Sequence, residues 1–155
     1  MKGFKEFTTG KGYVSLSIAE EDEKRIFSIL KKLNIDNYIK DLHLTLMYDR
    51  SNPSVSYTTQ DTTYDAKIVD VKLLGEPGTK WYSIALDLDS DELHSRHKDL
   101  KELGYKHSYP NYIPHLSLKY LPSDSDINLI KDNIDLFRKL GNIKFHNEKL
   151  CKIIE

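Results

Sequence analysis

His43-Leu44-Thr45-Leu46-Met47-Tyr48 and His115-Leu116-Ser117-Leu118-Lys119-Tyr120 are two copies of one pattern, His-Leu-Thr/Ser-Leu-x-Tyr. Each alternates polar and apolar positions, the mark of a strand with one face on a core. A strand and then a helix precede each copy. In Tyr13 to Ile18, Val14, Leu16 and Ile18 fall on one side and Tyr13, Ser15 and Ser17 on the other. In the run Trp81 to Leu88, Tyr82, Ile84 and Leu86 answer the first set, and Trp81, Ser83 and Ala85 the second. Glu20 to Leu33 gathers Ile26, Ile29, Leu30 and Leu33 on one helical face, with Glu20, Glu21 and Asp22 where negative charge complements the helix dipole. In the second half Asp89 with Glu92 reads as a capping box opening a helix to about Leu103.

The first copy reads as a strand from Leu42 to Tyr48 and the second as a strand from His115 to Tyr120. Ala66 to Leu74 is a further strand, Glu76-Pro77-Gly78-Thr79 has hairpin-turn chemistry, Asp124 to Leu140 is a helix and Asn142 to Ile153 a last strand. Two copies are too few for a solenoid, which needs about three or more. The pattern predicts an α+β fold, one bilobed domain over 1–155 with lobe one at about 12–74 and lobe two at about 81–155. Pseudo-twofold symmetry, antiparallel sheets lining a central cleft and helices outside are the expected architecture. The polar stretch Asp49 to Asp65 is long for a connection and is expected to form a mobile flap over a substrate.

A chain of 155 residues with 39% hydrophobic and 30% charged residues can build one real core. Its 23 Lys and Arg against 24 Asp and Glu leave a formal charge of −1, which excludes tight binding of long nucleic acid by bulk phosphate neutralisation. A small anion held in a local pocket remains compatible. The single Cys151 closes no internal disulfide and suits a reducing cytoplasm. The opening run MKGFKEFTTGKGY lacks the apolar stretch of a secretory signal and no apolar run is long enough to span a membrane. The expectation is a soluble, cytoplasmic chain with no membrane partner; its oligomeric state is not readable.

Strand alternation puts His43 and Thr45 on one face and Leu42, Leu44 and Leu46 on the other; His115 and Ser117 repeat the arrangement. Two imidazoles with an ordinary pKa of about 6.5, set across a cleft, can act as general base and general acid on one reacting centre. Phosphodiester cleavage suits them. One His takes a proton from the attacking hydroxyl or water, the other protonates the departing 5′ oxygen, and Thr45 and Ser117 hydrogen-bond the non-bridging oxygens. Neither metal nor cofactor is required. A lone His-x-Thr in a strand is usually a satisfied structural residue; two copies in matched frames argue for a functional pair. Tyr13 and Trp81, one per lobe on faces otherwise kept small, read as platforms for two bases, each stacking typically worth about 1 to 3 kcal/mol.

The paired motifs resemble those of the two-histidine (2H) phosphoesterases. That resemblance covers nearly the whole chain and implies metal-independent phosphodiester cleavage by His43 and His115 with help from Thr45 and Ser117. More narrowly, Gly12-Tyr13 before the first lobe and Trp81 opening the second resemble the phage anti-CBASS nucleases, which degrade cyclic oligonucleotide immune signals. This implies a hydrolase for 3′-5′ bonds of cyclic di- or trinucleotides, stacked on Tyr13 and Trp81, and acting in the host cytoplasm. It also implies a glutamate near the ligand, for which Glu148 is the counterpart. The alternatives are an RNA-end or 2′,3′-cyclic-phosphate phosphodiesterase, and a non-catalytic cyclic-nucleotide sponge.

Other motifs carry less. Asp87, Asp89 and Asp91 begin like a calcium loop, but Glu92 and Lys98 stand where glycine and glutamate belong. His94 and His97 are expected on a solvated helix face, and His107 and His146 have no readable role. The stiff aromatic loop Ser108 to Pro114 is expected either to wall the cleft or to serve ordinary packing.

Overall fold

The computed structural model describes residues 10–109 and 111–154; residues 1–9, where the absence of a signal was read, lie outside it, as do Pro110 and Glu155. Six strands form: β1 (Tyr13–Ile18), β2 (His43–Tyr48), β3 (Tyr64–Leu74), β4 (Ser83–Asp89), β5 (His115–Tyr120) and β6 (Asn142–Cys151). The helices are α1 (Glu20–Lys32), α2 (Asp91–Glu102), α3 (Asp124–Asp132) and α4 (Ile134–Arg138). The expected α+β class holds.

All strand pairs are antiparallel, in the order β1-β2-β5-β4-β3-β6, and β6 returns to β1. The expectation of separate sheets is therefore corrected: one sheet closes on itself. Closure follows from the length of β3 and β6, at 11 and 10 residues. Residues 64–67 of β3 pair with 142–145 of β6, while the rest of β3 runs along β4 and the rest of β6 along β1.

β1 against β2 and β4 against β5 share one register. Ser17, Leu16 and Ser15 face His43, Leu44 and Thr45; Asp87, Leu86 and Ala85 face His115, Leu116 and Ser117. Tyr13 then faces Tyr48, and Ser83 faces Tyr120. So Ser83, not Trp81, is the counterpart of Tyr13. Trp81 lies in the turn before β4 and not on a strand, which corrects the expected frame by two residues. A shift of two preserves facing, so the small and apolar faces still coincide.

Each pair carries a bulge at the same motif position. Val14 pairs with Met47 and Ser15 with Thr45, passing over Leu46; Ile84 pairs with Lys119 and Ala85 with Ser117, passing over Leu118. An extra residue in one strand returns the next side chain to the original face. Simple alternation sends Tyr48 and Tyr120 to the core side; the bulges bring them back beside the His and hydroxyl positions. Leu46, Met47, Leu118 and Lys119 all turn inward and are buried. Lys119 is tolerated there because its ammonium reaches Asp36 at 2.9 Å and Asp126 at 2.8 Å.

The apolar strand faces join Ile26 and Leu30 of α1, Leu93 and Leu100 of α2, and Ile127 and Ile130 of α3 in a continuous core. The cap of α2 is Ser90 rather than Asp89: its hydroxyl accepts the Leu93 N–H and donates to the Asp65 carbonyl at 2.6 Å. The helix expected over 124–140 is two helices, α3 and α4, interrupted at Asn133. No helix among the described residues is long and apolar enough to cross a membrane. The stretch expected as a flap is pinned at several points. Asn52 Oδ1 accepts the N–H groups of Gly12 and Ile153, and the Gln60 N–H donates to Glu148. Gly12 is required at the first of these, since a Cβ there would overlap the Asp49 carbonyl.

Candidate active site

β2 and β5 meet at Leu44 and Leu116, both fully buried. His43 and Thr45 flank Leu44 along β2, and His115 and Ser117 flank Leu116 along β5, so strand alternation puts all four on the face opposite the leucines. The two imidazoles and two hydroxyls picked out by the repeated motif are therefore on one surface of adjoining strands. Both rings are held alike: His43 Nδ1 donates to the Asp41 carbonyl at 3.1 Å and His115 Nδ1 to the Ile113 carbonyl at 3.0 Å. A carbonyl only accepts, so Nδ1 carries the hydrogen and Nε2 presents a lone pair when neutral or an N–H when protonated. Neither Nε2 has a protein partner among the described residues.

The surroundings of the two rings differ. Burial lowers the pKa of His115, the Ile113 carbonyl and Asp87 oppose that shift, and Lys72 adds to it. Asp87 is the cross-strand neighbour of His115, where His43 has the neutral Ser17. Asp87 Oδ1 is buried without a hydrogen-bond partner among the described residues.

Thr45 Oγ1 donates to the Tyr13 hydroxyl at 3.2 Å, whereas the Ser117 hydroxyl has no protein partner among the described residues. Tyr13 is half-buried, with its ring edge-on to His43 at 6.4 Å and to Tyr48 at 6.0 Å between centroids. Burial raises its pKa, so the phenol stays protonated near neutrality. Trp81 is 64% exposed and lies edge-on to Tyr120 at 5.9 Å. It thus reaches the site's margin from the turn rather than along the strand. Glu148 is not brought to this group. Its side chain is wholly buried and its two oxygens accept from Arg96 Nε at 2.8 Å and Nη2 at 2.9 Å. Arg96 in turn borders an open groove of about 550 Å³, whose lining includes none of the motif residues.

Residues the sequence left without a role support β2. Beyond Leu44 that strand diverges from β5, and its backbone groups need other partners. The Tyr112 hydroxyl donates to the Thr45 carbonyl at 2.7 Å, His97 Nδ1 to the Leu46 carbonyl at 2.6 Å, and the Tyr48 N–H donates to His107 Nδ1 at 3.1 Å. His97 stacks on Tyr112 at 4.0 Å and is buried, which corrects the solvated face expected for it. Among the described residues no group of three or more His, Cys, Asp and Glu side chains is placed to hold a metal ion.

Comparison with known proteins agrees with the extent of this architecture. Residues 11–150 match the family model described as anti-CBASS protein Acb1. Three proteins of that name are each 28% identical to the chain. The one from Escherichia phage RB16 aligns over 141 residues, 89% of this chain and 79% of its own. That from Vibrio phage KVP40 aligns over 110 residues, 70% and 71%. That from Enterobacteria phage T4 aligns over 125 residues, 77% and 78%. The matched segment contains both His-Leu-Thr/Ser-Leu-x-Tyr strands and all six strands but for Cys151, the last residue of β6, and the chain belongs to the anti-CBASS protein Acb1 family.

Proposed function

We propose that this protein is a metal-independent phosphodiesterase of the 2H type that opens 3′-5′ bonds of cyclic oligonucleotide signals, as a phage counter-defence enzyme in the host cytoplasm. The observation that carries the chemistry is the matched tether of His43 and His115: each Nδ1 is fixed on the carbonyl two residues upstream, which leaves both Nε2 atoms without a protein partner among the described residues. The shared register of β1/β2 and β4/β5 supports the pseudo-twofold, two-lobed reading. The family name supports the counter-defence role and, through it, a cyclic oligonucleotide substrate.

With a 3′-5′ phosphodiester between the rings, one Nε2 takes the proton of the 2′ hydroxyl as its oxygen attacks phosphorus. The other, protonated, gives its proton to the departing 5′ oxygen. The product of this step is a linear molecule with a 2′,3′-cyclic phosphate, which water opens by the reverse use of the two rings. Thr45 and Ser117 donate to the non-bridging oxygens where charge grows. When Thr45 turns to phosphate, the Tyr13 hydroxyl donates to Thr45 Oγ1 in its place. Tyr13 and Trp81 offer aromatic surface to the bases.

The test is incubation of the protein with 3′,3′-cyclic dinucleotides, a cyclic trinucleotide and an oligonucleotide ending in a 2′,3′-cyclic phosphate, all in EDTA, with products resolved by chromatography. Linearised cyclic substrates are expected. Turnover of the cyclic-phosphate end alone makes the protein an RNA-end phosphodiesterase; tight binding with no product makes it a sponge.

A further inference from the structure

The strands flanking the site end its two hydroxyl rows in the same way. On one side Thr45 of β2 pairs with Ser15 of β1, which pairs with Lys149 of β6; on the other Ser117 of β5 pairs with Ala85 of β4, which pairs with Lys72 of β3. Directly paired residues share a face, so both lysines are on the surface that carries the histidines. Two strand spacings put each lysine backbone about 10 Å from its hydroxyl residue. Only a serine or an alanine intervenes, so a four-carbon stem can lie back toward the centre. Neither lysine has an ion-pair or hydrogen-bond partner among the described residues. The nearby Asp70 carboxylate is held by the Val71 N–H. The charge of Lys72 is already felt at His115.

Resting on the phosphodiesterase reading and its cyclic oligonucleotide substrate, we propose that Lys72 and Lys149 are substrate-binding residues for the phosphates of the ring that are not being cut. A single phosphodiester between the histidines is served by Thr45 and Ser117 and leaves both ammonium groups unused. A ring with a second phosphate projects charge to one side, and a third phosphate engages the other lysine. Equal placement on both sides lets either neighbouring phosphate be held whichever bond is presented.

The experiment compares the wild type with Lys72→Gln, Lys149→Gln, the double variant and the Lys→Arg pair, on a 3′,3′-cyclic dinucleotide and on the dinucleoside monophosphate ApA, which has one phosphodiester. These exposed or half-exposed strand positions leave the core untouched. Charge-assisted contacts of this kind predict a KM for the cyclic substrate raised roughly tenfold or more in the double glutamine variant, with kcat within about twofold. KM for ApA stays within about twofold, and arginine restores the cyclic value. Unchanged KM for the cyclic substrate overturns the assignment while the enzymatic reading stands. Equal losses on both substrates also overturn it, by placing the lysines on the scissile phosphate. A wild type that cleaves neither substrate overturns the phosphodiesterase reading itself.

Discussion

Asp87 of β4 lies directly across from His115 of β5, with Oδ1 buried and without a hydrogen-bond partner among the described residues, while the matching place beside His43 is held by Ser17. The carboxylate favours the protonated ring, in opposition to the burial that lowers the His115 pKa. Asp87→Asn keeps the shape and removes the charge. The His115 titration followed by NMR is expected to move to lower pH in that variant. A midpoint that does not move contradicts the coupling of these two residues.

His107 gives the fold an acid-sensitive point. Burial first, then His97 and Lys101, push its pKa down to about 4, while Asp49 opposes them. Its Nδ1 accepts the Tyr48 N–H, which protonation forbids. Because the folded value is below the ordinary value of about 6.5, the unfolded chain binds the proton more readily, so stability is full above about pH 6.5 and falls as pH drops toward 4. Urea unfolding at pH 7.5 and pH 5 should show a lower midpoint in acid. His107→Asn should flatten that difference; an equal pH dependence in the variant contradicts the assignment.

Glu148 and Arg96 form a buried, two-pronged pair. Removing one partner leaves the other charged and without compensation, at a cost of about 3 to 5 kcal/mol. Glu148→Gln should therefore lower Tm sharply, and Glu148→Leu with Arg96→Leu should recover much of the loss. A Glu148→Gln variant with wild-type Tm and weakened nucleotide binding would instead return Glu148 to the ligand role that the family resemblance implied.

Ser90 ties two elements with one hydroxyl, capping α2 through the Leu93 N–H and donating to the Asp65 carbonyl at the start of β3. Ser90→Ala should cost about 1 to 2 kcal/mol in urea unfolding. A cost within experimental error contradicts the cap assignment.

The duplicated motif was legible because it needs only local alternation: His43 and Thr45, and His115 and Ser117, share a face as their spacing predicts. The tyrosines were not, because the bulges at Leu46 and Leu118 leave no local mark and alternation alone sends Tyr48 and Tyr120 inward. Trp81 was misplaced by two residues since the turn after Gly75 extends to Tyr82, and an aromatic beside an alternating run looks like its first member. The supports of β2 were out of reach for another reason. His97, His107 and Tyr112 satisfy backbone groups that become free only where β2 parts from β5, a consequence of tertiary geometry. Glu148 likewise depends on the long-range partner Arg96, and the spacing of charges along the chain does not announce it.

The most direct test of the central claim is the single-turnover rate of cyclic dinucleotide cleavage, in EDTA, by the wild type, His43→Ala, His115→Ala and the double variant. A base and an acid acting on one phosphorus predict that each single variant loses at least about 10²-fold and that the double loses far less than the product of the two. A near-normal rate in either single variant, or losses that simply multiply, would contradict a concerted histidine pair.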